Sequence, residues 1–169
     1  MKAIVAVNEN WGIGCNGALL YTIPEDMQFF KEKTEGKVVV MGYFTFVDLP
    51  GSKPLKNRTN IILFDDPELS VDGALVCNST EQLFDTLSSY DTDDVFIIGG
   101  QAVYEQFFEY CSTIYVTKVE DQKAADRHFP NLDELPNWEI TSTSEEKEHE
   151  GLKFTFCEYT NTDIKPALS

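Results

Sequence analysis

Residues 94–110 read DVFIIGGQAVYEQFFEY, and this stretch decides the fold class. Residues 94–98 predict a strand whose apolar run is typical of burial on both faces of a sheet. Two glycines end the strand, and a helix is predicted from Gln101 to about Tyr110. A buried strand that leads directly into a helix indicates one unit of a parallel α/β sheet.

The remainder of the chain repeats this alternation. Strands are predicted at 2–8, 37–41, 59–64, 74–77 and 113–119, and helices at about 23–35, 43–49 and 79–90. The segments near 138–143 and 152–159 alternate polar and apolar residues, which predicts a terminal antiparallel pair. We therefore expect an α/β fold with a single domain at 1–162, a mostly parallel central sheet and a C-terminal tail at 163–169.

Charge and cysteine content exclude several classes of function. The 13 basic and 29 acidic residues give a net charge of −16, which repels nucleic acid and anionic membranes. The four cysteines are widely spaced and form no Cys-x-x-Cys motif, so we expect reduced thiols and no metal site. No apolar run approaches membrane-spanning length. These features predict a cytoplasmic protein without nucleic-acid or membrane partners.

Residues 9–21, called the glycine loop below, contain the sequence GIGCNG at 12–17. This matches the G-x-G-x-x-G dinucleotide fingerprint, which requires a helix to begin at its third glycine. Here ALLYTIP follows, and the better helix start comes later. We therefore interpret the segment as a flexible surface loop, or more specifically as a mobile flap over a pocket, and not as a Rossmann site.

Asp26 is the most informative single residue. In the predicted helix it shares a face with Ile23, Phe29 and Phe30, so it points with apolar side chains. An acid in a first helical turn also favours the helix dipole, which is an ordinary structural explanation. The alternative is a carboxylate in an apolar pocket, with a raised pKa or a cationic ligand group as its partner. Thr117, in the middle of a strand, is either a partner for this carboxylate or an ordinary β-branched residue.

These segments together resemble one family. PEDM at 24–27, VVVMG at 38–42, IIGG at 97–100 and IYVT at 114–117, in this order, are similar to dihydrofolate reductases of bacterial type, and the similarity runs from about residue 2 to 160. The resemblance implies reduction of dihydrofolate to tetrahydrofolate with NADPH. It also implies an eight-stranded, mostly parallel sheet with antiparallel C-terminal strands and about four flanking helices.

The resemblance assigns roles on the substrate side. Asp26 would hold the 2-amino and N3 groups of the pterin, and Thr117 would belong to the same network. Tyr21 stands where the family usually has a tryptophan that holds an active-site water, and Leu19 is also counted with the catalytic loop. Arg58 would bind the glutamate α-carboxylate in a bidentate pair. The implied substrate-binding residues are Ile4, Val5, Ala6, Met27, Phe30, Lys31, Leu49, Lys53, Arg58, Ile98 and Tyr104.

On the cofactor side the resemblance implies a cis peptide between Gly99 and Gly100. The implied cofactor-binding residues are Ala6, Ile13, Gly42, Tyr43, Phe44, Thr45, Leu63, Phe64, Asp65, Ile98, Gly99, Gly100, Gln101, Ala102, Val103 and Tyr104.

Four of the residues expected around the adenosine 2′-phosphate depart from the family pattern. Tyr43 and Phe44 replace the usual cations, and Asp65 and Asp66 add two acids. Acids are unfavourable beside a phosphate and suit a free ribose hydroxyl, so we predict a weakened preference for NADPH and use of NADH. The alternative is that Asp65 and Asp66 belong to a turn that faces solvent.

Two other functions compete with this interpretation. One is another nicotinamide-dependent reductase on the same fold, such as the pyrimidine reductase of riboflavin synthesis, and the other is a non-catalytic folate-binding homologue. The PEDM helix and Arg58 favour a pterin substrate that carries a glutamate tail. We expect a monomer whose partner is its small-molecule substrate.

Overall fold

A computed structural model of the protein describes residues 1–167. Its strands, in chain order, are β1 (Lys2–Val7), β2 (Gly12–Cys15), β3 (Ala18–Leu19), β4 (Val38–Gly42), β5 (Thr59–Leu63), β6 (Ala74–Cys77), β7 (Val95–Gly99), β8 (Thr113–Val119), β9 (Arg127–His128), β10 (Trp138–Thr143), β11 (Lys147–His149) and β12 (Leu152–Asn161). The α-helices are α1 (Pro24–Thr34), α2 (Tyr43–Val47), α3 (Thr80–Leu87) and α4 (Gln101–Phe107).

The central sheet has the strand order β10-β12-β8-β1-β7-β4-β5-β6. The six strands from β8 to β6 are parallel to one another, whereas β12 runs antiparallel to β8 and β10. The short strand β11 also pairs with β12. The predicted fold class is confirmed, because the strands that read as continuous apolar runs occupy the middle of the sheet, where helices cover both faces.

Each face of the sheet has its own hydrophobic core. Alternation along β1 sends Ala3, Val5 and Val7 to one face, where they join α3 and α4. Ile4 points to the opposite face and joins Val39 and side chains from α1 and α2. The helix α1 is therefore held on the second face, which carries Thr117 and is the face on which the site is built.

The glycine loop is more ordered than the sequence predicts. It contains β2 and β3, which form a small sheet of order β3-β2-β9 beside the central one. The strand β9 lies more than 100 residues further along the chain, and Gly12 pairs with His128. Local periodicity cannot reveal a pairing of two- to four-residue strands over such a distance, so the interpretation of residues 9–21 as a surface loop missed β2 and β3.

Three of the four cysteines, Cys77, Cys111 and Cys157, are buried, and Cys15 on β2 is half-buried. The final strand ends at Asn161, after which the amide of Lys165 donates to the carbonyl of Glu109 at 2.9 Å. Residues 168 and 169 of the predicted tail lie outside the described residues. Within residues 1–167, no helix is long and apolar enough to cross a membrane.

Candidate active site

Asp26 and Thr117 form the central contact of the site. Phe29, one helical turn after Asp26, stacks on Phe156 of β12 with ring centroids 4.3 Å apart. Phe156 lies directly beside Thr117 in the sheet, so the same docking contact places Asp26 over Thr117. The Thr117 hydroxyl donates to Asp26 Oδ1 at 2.6 Å, which decides between the two interpretations of Thr117.

Burial sets the electrostatics of Asp26. Desolvation raises the pKa of the Asp26 carboxyl above its ordinary value, and the hydrogen bond from Thr117 partly opposes this shift. The Tyr104 phenol, whose pKa is raised mainly by burial and further by the charge of Asp26, donates to the carbonyl of Ile4 at 2.7 Å. The result is a carboxylate with one strong donor, in an apolar setting that favours a ligand able to donate more hydrogen bonds.

The apolar residues expected around a substrate ring occupy different positions in the fold. Phe30, Leu49 and Ile98 are partly buried against the core on the Asp26 face of the sheet. Val5 belongs to the core on the opposite face, so its side chain lies away from Asp26. Met27 and Leu19 are exposed, with 57% and 80% of their surfaces accessible. The structure thus brings Phe30, Leu49 and Ile98 together and leaves Leu19 at the surface.

Arg58 is held in place at the far end of α1. Its Nε donates to Thr34 Oγ1 at 3.1 Å and its Nη1 to the carbonyl of Lys56 at 2.9 Å. The Thr34 hydroxyl in turn donates to the carbonyl of Phe30 at 2.8 Å. The guanidinium carbon lies 6.0 Å from the centre of the Phe30 ring. Nη2 has no hydrogen-bond partner within residues 1–167, so this fixed cation retains donors for an anionic group.

Tyr21 connects the end of the glycine loop to another acid. Its ring packs against Ile23, Val119 and Phe154. Its hydroxyl donates to Asp121 Oδ2 at 2.6 Å, and burial together with this hydrogen bond raises the pKa of Tyr21 to about 12. Within residues 1–167 the Tyr21 hydroxyl makes no direct hydrogen bond to Asp26 or Thr117, and its partner is Asp121.

Gly99 and Gly100 lie where β7 leaves the sheet. The peptide bond between them is cis, as the resemblance implied. The register between β4 and β7 slips by one residue at Ile98, which produces a β-bulge. A Cβ atom at Gly100 would lie 3.3 Å from Thr45 Oγ1, so glycine leaves the Thr45 hydroxyl accessible beside the backbone. The backbone at Gly100 and the Thr45 hydroxyl therefore border a space that a side chain at position 100 would fill.

A cleft of about 350 Å³ begins beside this turn. Its lining residues are Gly42, Tyr43, Phe44, Leu63, Phe64, Asp65, Asn78, Ser79, Thr80, Ala102, Val103 and Gln106. Eight of the sixteen residues expected to bind a cofactor thus line one cleft. Asp65 lines the cleft, whereas Asp66 does not and its Oδ1 instead accepts from the amide of Glu68 at 2.9 Å. Within residues 1–167, the lining set includes no lysine or arginine.

Four lining residues, Asn78, Ser79, Thr80 and Gln106, were missed by the sequence reasoning, as was Asp121, which accepts from Tyr21. Asn78, Ser79 and Thr80 precede α3, and Ser79 caps that helix by accepting from the amide of Gln82 at 3.1 Å. A capping serine after a predicted strand places a helix start at the carboxyl edge of the sheet, and that signal could have found them. Asp121 lies in a polar stretch after β8 and gives no such signal.

Comparisons with known proteins agree on one family. The family model described as dihydrofolate reductase matches residues 1–161. The chain is 33% identical over 163 residues to dihydrofolate reductase from Bacillus subtilis (strain 168), with 94% of each chain covered. It is 32% identical over 147 residues to the Staphylococcus aureus enzyme, with 87% of each covered. The solved structure of dihydrofolate reductase from Enterococcus faecalis, complexed with NADP(H) and RAB-propyl, superposes with a TM-score of 0.85 at 32% identity and covers 96% of both chains.

Proposed function

We propose, from the premise that this chain belongs to the dihydrofolate reductase family, that it reduces 7,8-dihydrofolate to tetrahydrofolate and that Asp26 is its substrate-binding carboxylate. A reduced nicotinamide cofactor, when bound, supplies the hydride that C6 of the substrate accepts. The protein's own residues bind the substrate, orient it and exclude water from it.

Asp26 orients the pterin. Its carboxylate accepts hydrogen bonds from the 2-amino and N3 groups of the ring, and its negative charge stabilises the form protonated at N5. Thr117 holds Oδ1 from the sheet side, which leaves the remaining acceptor positions for substrate. Water reaching the ring beside the glycine loop provides the proton for N5. Phe30 and Leu49 contact the flat rings, and the fixed guanidinium of Arg58 binds the glutamate α-carboxylate.

The observation that carries this proposal is the partly buried Asp26 carboxyl bound by Thr117 beside an apolar cluster. The test is to mix the protein with dihydrofolate and NADPH and to follow the absorbance of the reduced nicotinamide. We expect Asp26→Asn to lower turnover by about 10²- to 10⁴-fold, the range typical of a positioned acid–base group.

Glu25→Gln is the matched control for this test, because it removes the neighbouring first-turn acid, which is exposed. Turnover of Asp26→Asn within a few fold of the Glu25→Gln variant would remove Asp26 from the mechanism. Binding of dihydrofolate without oxidation of either nicotinamide would instead identify a non-catalytic folate-binding homologue.

We further propose that the enzyme discriminates weakly between NADPH and NADH. The cleft beside Thr45 and Gly100 has the backbone and hydroxyl groups that suit a nicotinamide dinucleotide. Its outer part has the aromatic pair Tyr43 and Phe64, with ring centroids 4.8 Å apart, and one charged residue, Asp65, among the lining residues within 1–167. An acid without a neighbouring cation accepts a ribose hydroxyl and opposes a dianionic 2′-phosphate.

The ratio of kcat/KM with NADPH to kcat/KM with NADH measures this discrimination. We expect Asp65→Asn to raise the ratio by about two- to fivefold, the scale of one exposed charge interaction. Asp66→Asn is the matched control, because Asp66 is bound to the turn at Glu68 and should leave the ratio unchanged. A wild-type ratio of several hundred in favour of NADPH would contradict the proposal.

We also propose that the enzyme acts as a monomer in the cytoplasm and binds no nucleic acid. The net charge of −16 supports the last point, and the cysteines, which are unpaired within residues 1–167, are compatible with a reducing compartment. Light scattering of the purified protein at micromolar concentration tests the oligomeric state, and a mass of twice 19.1 kDa would contradict the proposal.

A further inference from the structure

One short turn, residues 121–123, holds both ends of the glycine loop. At the start of the loop, the amide of Glu9 donates to the carbonyl of Asp121 at 3.0 Å, and Asn8 Nδ2 donates to the carbonyl of Lys123 at 2.8 Å. At its end, the Tyr21 hydroxyl donates to Asp121 Oδ2 at 2.6 Å. Lys123 Nζ also donates to the carbonyl of Leu20 at 3.4 Å. The two ends of the loop therefore share a single anchor.

The middle of the loop rests on the residues that follow this turn. The amide of Asp126 donates to the carbonyl of Gly14 at 3.0 Å, and Asp126 Oδ2 accepts from the amide of Asn16 at 3.0 Å. A Cβ atom added at Gly12 would lie only 2.6 Å from the Cβ of Ala125. The loop consequently lies on residues 121–128 along most of its length.

The Tyr21–Asp121 bond joins two side chains, whereas each of the other hydrogen bonds described above involves a backbone group. Tyr21 precedes Pro24, the first residue of α1, by three positions, so whatever fixes Tyr21 also fixes the entry to the helix that carries Asp26. The pKa of the Asp121 carboxyl is held below its ordinary value, chiefly by the hydrogen bond from Tyr21, and burial together with the same bond raises the pKa of Tyr21 to about 12. At neutral pH the pair is therefore a protonated phenol and an ionised acceptor, the combination that gives a strong hydrogen bond.

We propose that Asp121 is a positioning residue of the reduction, which acts through the Tyr21 hydroxyl to hold the glycine loop and the start of α1 in the arrangement that binds substrate. This inference rests on the proposed function and adds a residue to it. Asp121 itself is half-buried and, within residues 1–167, makes no hydrogen bond to Asp26, so its effect on the reaction passes through Tyr21.

The test compares Tyr21→Phe, Asp121→Ala and the double variant. Tyr21→Phe keeps the packed ring and removes only the hydroxyl. We expect each single variant to lower kcat/KM for dihydrofolate on the order of tenfold, the scale of one hydrogen bond to a charged acceptor. The double variant should be no slower than the slower single one, because both changes break the same bond. Asp121→Asn, which keeps an oxygen acceptor, should recover part of the loss.

Amide hydrogen exchange of residues 12–20 is the second readout, and it needs no substrate. Exchange should accelerate in Tyr21→Phe and Asp121→Ala. The matched control is Tyr159→Phe, which breaks another tyrosine–aspartate hydrogen bond, from Tyr159 to Asp133 at 2.7 Å, and should leave exchange unchanged. Unchanged exchange in the first two variants, or losses of kcat/KM that multiply in the double variant, would overturn the inference. Absence of activity in the wild type would refute the proposed function, whereas the exchange result would still decide whether Asp121 holds the loop.

Discussion

Replacement of Thr117 by valine tests the electrostatics of the site most directly. Thr117 is 1% exposed and its hydroxyl lies 2.6 Å from Asp26 Oδ1. Valine has nearly the same shape, so the variant removes the donor without opening a cavity. A hydrogen bond to a charged acceptor contributes about 1.5–3 kcal/mol, and the lower end applies here because water can partly replace the donor at a carboxyl that is only partly buried. About 1.5 kcal/mol corresponds to roughly a tenfold change in the ionisation equilibrium.

The sign of this change follows from which form the hydroxyl stabilises. Thr117 favours ionised Asp26, so its loss should move the pKa of Asp26, already raised by burial, further upward. Titration of the Asp26 side-chain carbon by NMR in the ligand-free protein measures the shift, and the pH dependence of dihydrofolate affinity should move in the same direction. Thr117→Ser keeps the hydroxyl and should titrate like the wild type. An Asp26 carboxyl that titrates at the same pH in the valine variant would refute the reasoning.

Three further outcomes are expected from the same geometry. Asp26→Asn should melt at a higher temperature than the wild type at pH 7, because burial raises the folded pKa of Asp26 above 3.8 and so disfavours its ionised form. This advantage should shrink as the pH falls through the folded pKa and vanish below 3.8. Thermal melts over this pH range measure it. Arg58→Lys should raise KM for dihydrofolate by about 10- to 100-fold with little change in kcat, since an ammonium cannot form the bidentate pair; an unchanged KM would separate Arg58 from the substrate. Gly12→Ala should accelerate exchange of the glycine-loop amides because its Cβ would meet that of Ala125 at 2.6 Å, and Ala125→Gly in the same chain should restore protection.

The contact between Asp26 and Thr117 shows how far sequence reasoning reaches. Helical spacing fixes the face on which Asp26 lies, and strand alternation fixes the face of Thr117, so both residues could be placed without coordinates. Whether their side chains meet depends on how Phe29 stacks on Phe156 of the last strand, a tertiary contact that spacing cannot supply. The sequence therefore left Thr117 with two interpretations, and the structure shows the hydrogen bond.

Two neighbouring acids show why other parts of the site could not be predicted from the sequence. Asp65 and Asp66 are chemically identical and adjacent, yet one lines the cleft and the other binds the amide of Glu68. Which acid faces the cleft depends on the backbone conformation at the end of β5. Asn78 helps to fix that backbone, because its Nδ2 donates to the carbonyls of Phe64 and Asp66 at 3.0 and 3.1 Å. Similarly, nothing near Asp121 in the sequence indicates that it meets Tyr21, 100 residues earlier.

The uneven burial of the thiols offers an experimental advantage. Since Cys77, Cys111 and Cys157 lie in the interior, a maleimide dye added to the folded wild-type chain should couple first at Cys15. That position lies in β2, next to the hairpin that leads back towards Tyr21. Emission from a dye at Cys15 would report movement of this hairpin on the stopped-flow timescale, without prior removal of the other thiols or introduction of a new one.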